Sequence, residues 1–272
     1  MLRRPLLAAS LALMAVPAAR AERSTGPLTG PLRLGVDRSL AESGLAHSLQ
    51  HAFGADTGIA VKLVPGPALA VLDAVRDGEV DAALTNAPAA EAKLERQGLV
   101  HDWRPIAEGE FILVGPTPPR LASRGRQPPP GRSGVDGLVR IRELAATAEG
   151  LVFLSAGDGS GAHVAEQELW RAARIEPMAP WYLTAATAGS LIDQARARGA
   201  YAVVERGAWA AQGGAPLAVL VEDDPTLGET VHAMRTFRVT HPAGRIFVGW
   251  ISGARGRAVV AAHRGYRAPA RG

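Results

Sequence analysis

The 272-residue sequence predicts an α/β protein with mixed, mostly parallel sheets flanked by helices. Three observations predict it. Short apolar strands alternate with amphipathic helical stretches along nearly the whole chain, the pattern of repeated βα units. Hydrophobic residues make up 47% of the chain, enough to build a core without disorder. Cysteine is absent, so no disulfide framework and no cysteine-type metal site competes with that core as the organising element.

The elements follow in order. Leu32-Arg33-Leu34 is a short strand. Ser43-Gly44 opens a helix carrying Leu45, Leu49 and Phe53 at helical spacing. Residues 59–64 alternate like a strand, and 68–76 place Leu69, Leu72 and Val75 on one helix face. Residues 80–84 form a strand, 89–97 a helix ended by Gly98, and 111–114 an apolar strand stopped by Gly115-Pro116. Residues 116–134 differ: two proline runs bracket Arg120, Arg124, Arg126 and Arg132, a stiff basic loop. Alternation resumes with a helix at 135–148, a strand at 151–154, a helix at 160–174 and a short strand at Tyr182-Leu183. Ser190 opens a helix through Arg198. A strand at 201–204, a helical turn at 206–211, strands at 217–221 and near 237–239, and two amphipathic pieces bearing Phe247, Trp250, Ile251 and Val259, Val260 complete the chain.

The N-terminus reads as an address. Arg3 and Arg4 precede an apolar run from Leu6 to Val16, too short to span a bilayer, and Ala19-Arg20-Ala21 is a small-x-small cleavage site. Residues 1–21 are therefore expected to be a signal peptide, 22–31 a flexible leader, and the mature protein extracytoplasmic. The 30 basic and 26 acidic residues become 27 and 26 once Arg3, Arg4 and Arg20 are removed. With 5% aromatics, this near-neutral balance gives no nucleic-acid surface.

The segment Ser155-Ala156-Gly157-Asp158-Gly159-Ser160-Gly161-Ala162-His163 follows a strand and opens a helix. Its glycines allow close backbone approach, and the Ser160 hydroxyl and first helical amides suit an oxyanion. The same residues also suit a plain serine cap over a tight turn. Gly157-x-Gly159-x-x-Ala162 satisfies the loose dinucleotide fingerprint, but no acidic residue ends a following strand some twenty positions on. A nucleophile elbow would need serine where Gly159 sits. Ser160 with His163 leaves a Ser/His hydrolase as a minor alternative. His47 and His51 share a helix face, but Ser48 stands where a zinc protease carries glutamate, and no metal or cofactor is expected. Asp223-Asp224-Pro225 reads as turn chemistry, and Arg206 follows a strand end where it could face a ligand or a surface carboxylate.

From Leu32 to about Val260 the sequence resembles the tungstate-binding proteins of ABC uptake systems. The resemblance rests on Ser43-Gly44-Leu45, Thr57-Gly58-Ile59, Gly78-Glu79-Val80-Asp81, Ala87-Pro88-Ala89-Ala90-Glu91, Gly157-Asp158-x-Ser160-Gly161-x-His163, Trp181-Tyr182-Leu183 and Arg206-Gly207, in that order. It implies a two-lobed periplasmic-binding-protein type II fold that closes on a small oxyanion of the tungstate or molybdate kind, acts as a monomer and docks on a membrane permease. With crossovers after Val114 and near 217–221, lobe one is 32–115 plus 222–266 and lobe two is 116–221. On that fold, oxyanion capture is expected from Arg38, Ser39, the loop of Ser155, Asp158, Gly159, Ser160 and Gly161, Ser190 and Arg206, with Arg38 and Arg206 supplying charge, Ser39, Ser160 and Ser190 hydroxyls, and Gly159 and Gly161 amides. No catalytic residue is implied. The family's threonine run after the first strand is replaced by Val36-Asp37-Arg38-Ser39, and its arginine before the loop's Gly-Asp by Ala156. An exported scaffold or sensor that kept this fold and lost the oxyanion is the alternative.

Overall fold

The computed structural model describes residues 30–116, 133–239 and 241–270. The signal peptide and most of the leader and basic loop expected from the sequence lie outside them. Strand β1 (Leu32–Asp37) pairs in parallel with β2 (Val61–Gly66) and β3 (Ala82–Thr85). Leu32, Leu34 and Val36 are fully buried. Gly35 lies so close to the next helix layer that a Cβ there would stand 2.8 Å from Val71 Cγ1. Helix α1 (Arg38–Glu42) starts directly off β1, and α2 (Leu45–Thr57) buries Leu45, Ala46, Leu49 and Phe53. Gly44 and Gly58 bound α2 at φ +85° and +71°, conformations that a Cβ disfavours. Helices α3 (Ala68–Asp77) and α4 (Pro88–Arg96) cover the sheet beside them.

The strand expected at 111–114 is the end of a 17-residue strand, β4 (Val100–Pro116). Its first part pairs antiparallel with β9 (Gly228–Thr236), which also pairs with β3. Its last part, Phe111–Pro116, pairs antiparallel with β7 (Ala202–Glu205) and β8 (Leu217–Val221). The sheet is therefore mixed: β2-β1-β3 is parallel, and antiparallel pairing enters where β4 runs from one half of the molecule into the other. In the second half, α5 (Gly134–Ala145) and α6 (Gly161–Ala173) pack on Phe153, Trp170 and Val203. Strands β5 (Phe153–Ser155) and β6 (Tyr182–Thr184) pair in parallel. Helices α7 (Leu191–Arg198) and α8 (Arg206–Gln212) follow, and α9 (Pro242–Ser252) and α10 (Ala254–Ala261) return to pack against α2 and β4.

The strand expected near 237–239 is corrected to β9, which ends at Thr236 and leaves Phe237 55% exposed. It is buried on both faces, with Glu229 on one and His232 on the other, and that breaks the apolar alternation by which a strand is read. No helix among the described residues is long and apolar enough to cross a membrane.

Candidate functional site

Helices α1, α6 and α8 begin at the carboxyl ends of β1, β5 and β7, the edge where such sheets leave amides free. With the start of α7 they surround one cavity of about 60 Å³. That is room for a few waters or one small solute. Its polar lining is Arg38, Ser39, Glu42, Asp158, Ser160 and Glu205; Ala156, Leu191 and Val204 supply apolar wall.

Asp37 ends β1, fully buried. Its Oδ1 accepts from the Ser39 N–H at 2.9 Å and the Ser39 hydroxyl at 2.6 Å, and its Oδ2 accepts from the Gly161 N–H of α6 at 3.3 Å. Burial pushes its pKa up and these three donors pull it back. Arg38 Nη1 lies 3.7 Å from Asp158 Oδ2.

Ser160 caps α6, with Oγ accepting from the His163 N–H at 3.4 Å. Its own N–H donates to Asp158 Oδ1 at 2.9 Å, and the Gly159 N–H donates to His163 Nδ1 at 2.9 Å. The Gly159 carbonyl accepts from the Leu69 N–H at 3.0 Å, a main-chain bond between α3 and the α6 loop. Ser190 caps α7; its hydroxyl donates to Gln212 at 2.7 Å, and Gln212 donates in turn to Glu42 at 3.3 Å.

Glu205 caps α8, accepting from the N–H groups of Gly207 at 2.6 Å and Ala208 at 2.7 Å. Burial, with Asp37 nearby, nonetheless raises its carboxyl to about 7. Glu229 is raised well above the usual range by burial and by Glu205 beside it. Burial and their mutual repulsion push both carboxyls toward the protonated form. Asn86 donates to Glu229 Oε1 at 2.6 Å, while Asn86 Oδ1 and Glu229 Oε2 are buried with no donor.

Of the nine residues predicted from the sequence, Arg38, Ser39, Asp158 and Ser160 line the cavity. The amides of Gly159 and Gly161 are taken by His163 and Asp37. Ser190 sits beside cavity-lining Gly189 with its hydroxyl on Gln212. Ser155 is buried, its hydroxyl accepting from the Gly157 N–H at 3.2 Å and helping to hold the buried Glu166 carboxylate. Arg206 pairs with Glu110 and Glu222 and faces a separate groove. Glu42, Glu205, Glu229 and Asn86 were not singled out. The one available signal was Glu205, an acidic residue at a strand end directly before a helix. No group of three or more metal-ligating side chains is arranged to hold an ion among the described residues.

Helix N-termini meeting across a small cavity between two halves of an α/β fold define a class of ligand-enclosing protein. The sequence profile of the PBP superfamily domain matches residues 22–243, and the chain belongs to that superfamily. It is 30% identical over 200 residues to the tungstate-binding protein TupA of Peptoclostridium acidaminophilum, covering 73% of this chain and 67% of that one. The solved structure of the tungstate-binding protein TupA from Desulfovibrio alaskensis G20 superposes with a TM-score of 0.65 at 25% identity, covering 89% of this chain and all of that one. That of the tungstate ABC transporter from Geobacter sulfurreducens gives 0.68 at 23% identity, over 85% and 97%, a likeness of fold.

Proposed function

We propose that this chain is the solute-binding component of an ABC uptake system and takes a small oxyanion into the cavity. Its lobes are 32–115 plus 222–266 and 116–221, residues 1–21 direct export to the periplasm, and the monomer delivers its ligand to a membrane permease. The observation that carries the reading is the meeting of the α1, α6, α7 and α8 N-termini on one cavity with Arg38 in its wall. The tungstate-binding relatives agree with it. In this reading Arg38 and the Ser160 hydroxyl bind the anion, and closure brings the α6 loop onto Asp37 and Leu69. On the same reading Ser160 and His163 serve as cap and loop support, and the chain binds its ligand without turning it over.

A thermal-shift panel of tungstate, molybdate, sulfate and phosphate at about millimolar concentration tests the reading; stabilisation by at least one is expected. No shift with any of them retires it.

One observation favours a second reading, the exported scaffold or sensor. Asp37 and Glu205 already occupy amides that an anion would otherwise take. A folded protein that is indifferent to the whole panel fits that reading.

A further inference from the structure

The cavity's hydrogen-bonding groups do not balance. On the donor side stand the Arg38 guanidinium, already drawn toward Asp158, and the Ser160 hydroxyl, whose oxygen takes the His163 N–H and whose proton is left to donate. The Ser39 proton is committed to Asp37. On the acceptor side stand three carboxylates: Glu42, which takes one donor from Gln212 on Oε2, Asp158, which takes the Ser160 N–H, and Glu205, which takes one main-chain N–H on each oxygen. Behind the wall, Asn86 Oδ1 is a further buried acceptor without a donor. A solute offering only acceptors would set its lone pairs against these carboxylates, and any closure of the cleft over it would lower the screening of that repulsion. A solute with its own O–H would complete one of them.

We propose that the cavity selects a tetrahedral oxyanion that keeps an O–H group, of the hydrogen phosphate or hydrogen arsenate kind, over one that keeps none, such as tungstate, molybdate or sulfate. The selection rests on the oxyanion reading above. Arg38 and Ser160 take the bare oxygens, and Glu205 or Glu42 accepts the ligand's proton-bearing one. A site that pairs a ligand hydroxyl rejects the analogue lacking it by as much as about 10⁴-fold.

Calorimetric titration at about pH 8 isolates this difference, because hydrogen phosphate, sulfate and tungstate are then all doubly charged and only the first carries an O–H. Phosphate should bind at least about tenfold more tightly than either of the others. A smaller preference, or tighter tungstate, overturns the selection while leaving oxyanion binding in place. No binding of any of the three ends the oxyanion reading and this one with it. Glu205→Gln and Glu42→Gln, checked for folding by their melting curves, replace an acceptor with an amide that can also donate. At least one should cut the phosphate preference by about tenfold. An unchanged preference in both overturns the assignment of the acceptor.

Discussion

Asp37 and Gly161, 124 residues apart in sequence, meet at 3.3 Å with the aspartate carboxylate accepting the glycine N–H. The contact joins the end of β1 to the first turn of α6. It places a fixed negative charge at a helix N-terminus, the position a bound anion takes in a fold of this kind. A neighbouring contact, Glu205 on the Gly207 and Ala208 amides, caps α8 in the same way, with burial pushing that carboxyl toward its protonated form. The site is thus organised around internal carboxylates, and they govern both its stability and what it can accept.

Asp37→Ala removes an N-cap and leaves the Ser39 and Gly161 donors unpaired in a buried place. A loss of about 1–3 kcal/mol is expected in urea unfolding. Asp37→Asn keeps one acceptor for the Ser39 cap and removes the buried charge, but sets its NH2 against the Gly161 N–H, so its loss should be smaller than that of the alanine variant without vanishing. Equal losses in the two variants would show that charge, and not the cap, is what matters there.

The Glu205–Glu229 pair sets a pH dependence. Folding raises both carboxyls, Glu205 from the usual 4.5 to about 7, with Asp37 and Tyr266 as its other close ionisable neighbours. Between those values the folded chain holds more protons than the unfolded one. Stability from the pair is therefore fully present below about 4.5 and is lost as pH rises through about 7. Melting temperature should fall from about pH 5 to about pH 8, and Glu205→Gln with Glu229→Gln should flatten that slope. A melting temperature that rises across this range in the parent alone would contradict it.

How far the sequence reaches can be followed along single elements. Helix α2 is legible because Gly44 and Gly58 punctuate it and Leu45, Leu49 and Phe53 keep its period. The Ser160 cap is legible because the loop, the serine and the helix lie within a few residues of one another. Helix α1, five residues long, is too short to show a period. Strand β9 is misplaced because its buried Glu229 and His232 look like surface residues until their partners are known. The same holds for the site. Glu205 and Glu229 acquire their meaning only when β7 and β9 come side by side through β4. Arg206 looked like a ligand-facing cation, and two distant carboxylates, Glu110 and Glu222, turn it toward another groove.

Gly161 lies at a close approach between the two halves. A Cβ there would overlap Asn86, whose side chain is buried and held by Glu229. Gly161→Ala should wedge the α6 loop away from α1 and open the cleft. Small-angle scattering should report a larger radius of gyration than the parent's, and any stabilisation by phosphate or tungstate should weaken by about tenfold or more in affinity. An unchanged radius together with unchanged affinity would mean that the loop relaxes locally.

Arg38 and Arg206 separate binding from scaffolding. Arg38 lines the cavity with its side chain 38% exposed, and its only ion pair among the described residues is long, 3.7 Å to Asp158, so its guanidinium can turn to a ligand. Arg206 is 26% exposed and already paired with Glu110 and Glu222. Arg38→Ala removes a charge-assisted contact worth about 1.5–3 kcal/mol and should weaken oxyanion affinity by about ten- to hundredfold, with little change in melting temperature. Arg206→Ala should leave affinity within about twofold and lower stability by about 1 kcal/mol, the usual scale for partly exposed pairs. Titrating both variants with the same anion decides the matter, since the opposite ranking would move the binding site from the cavity to the Arg206 groove.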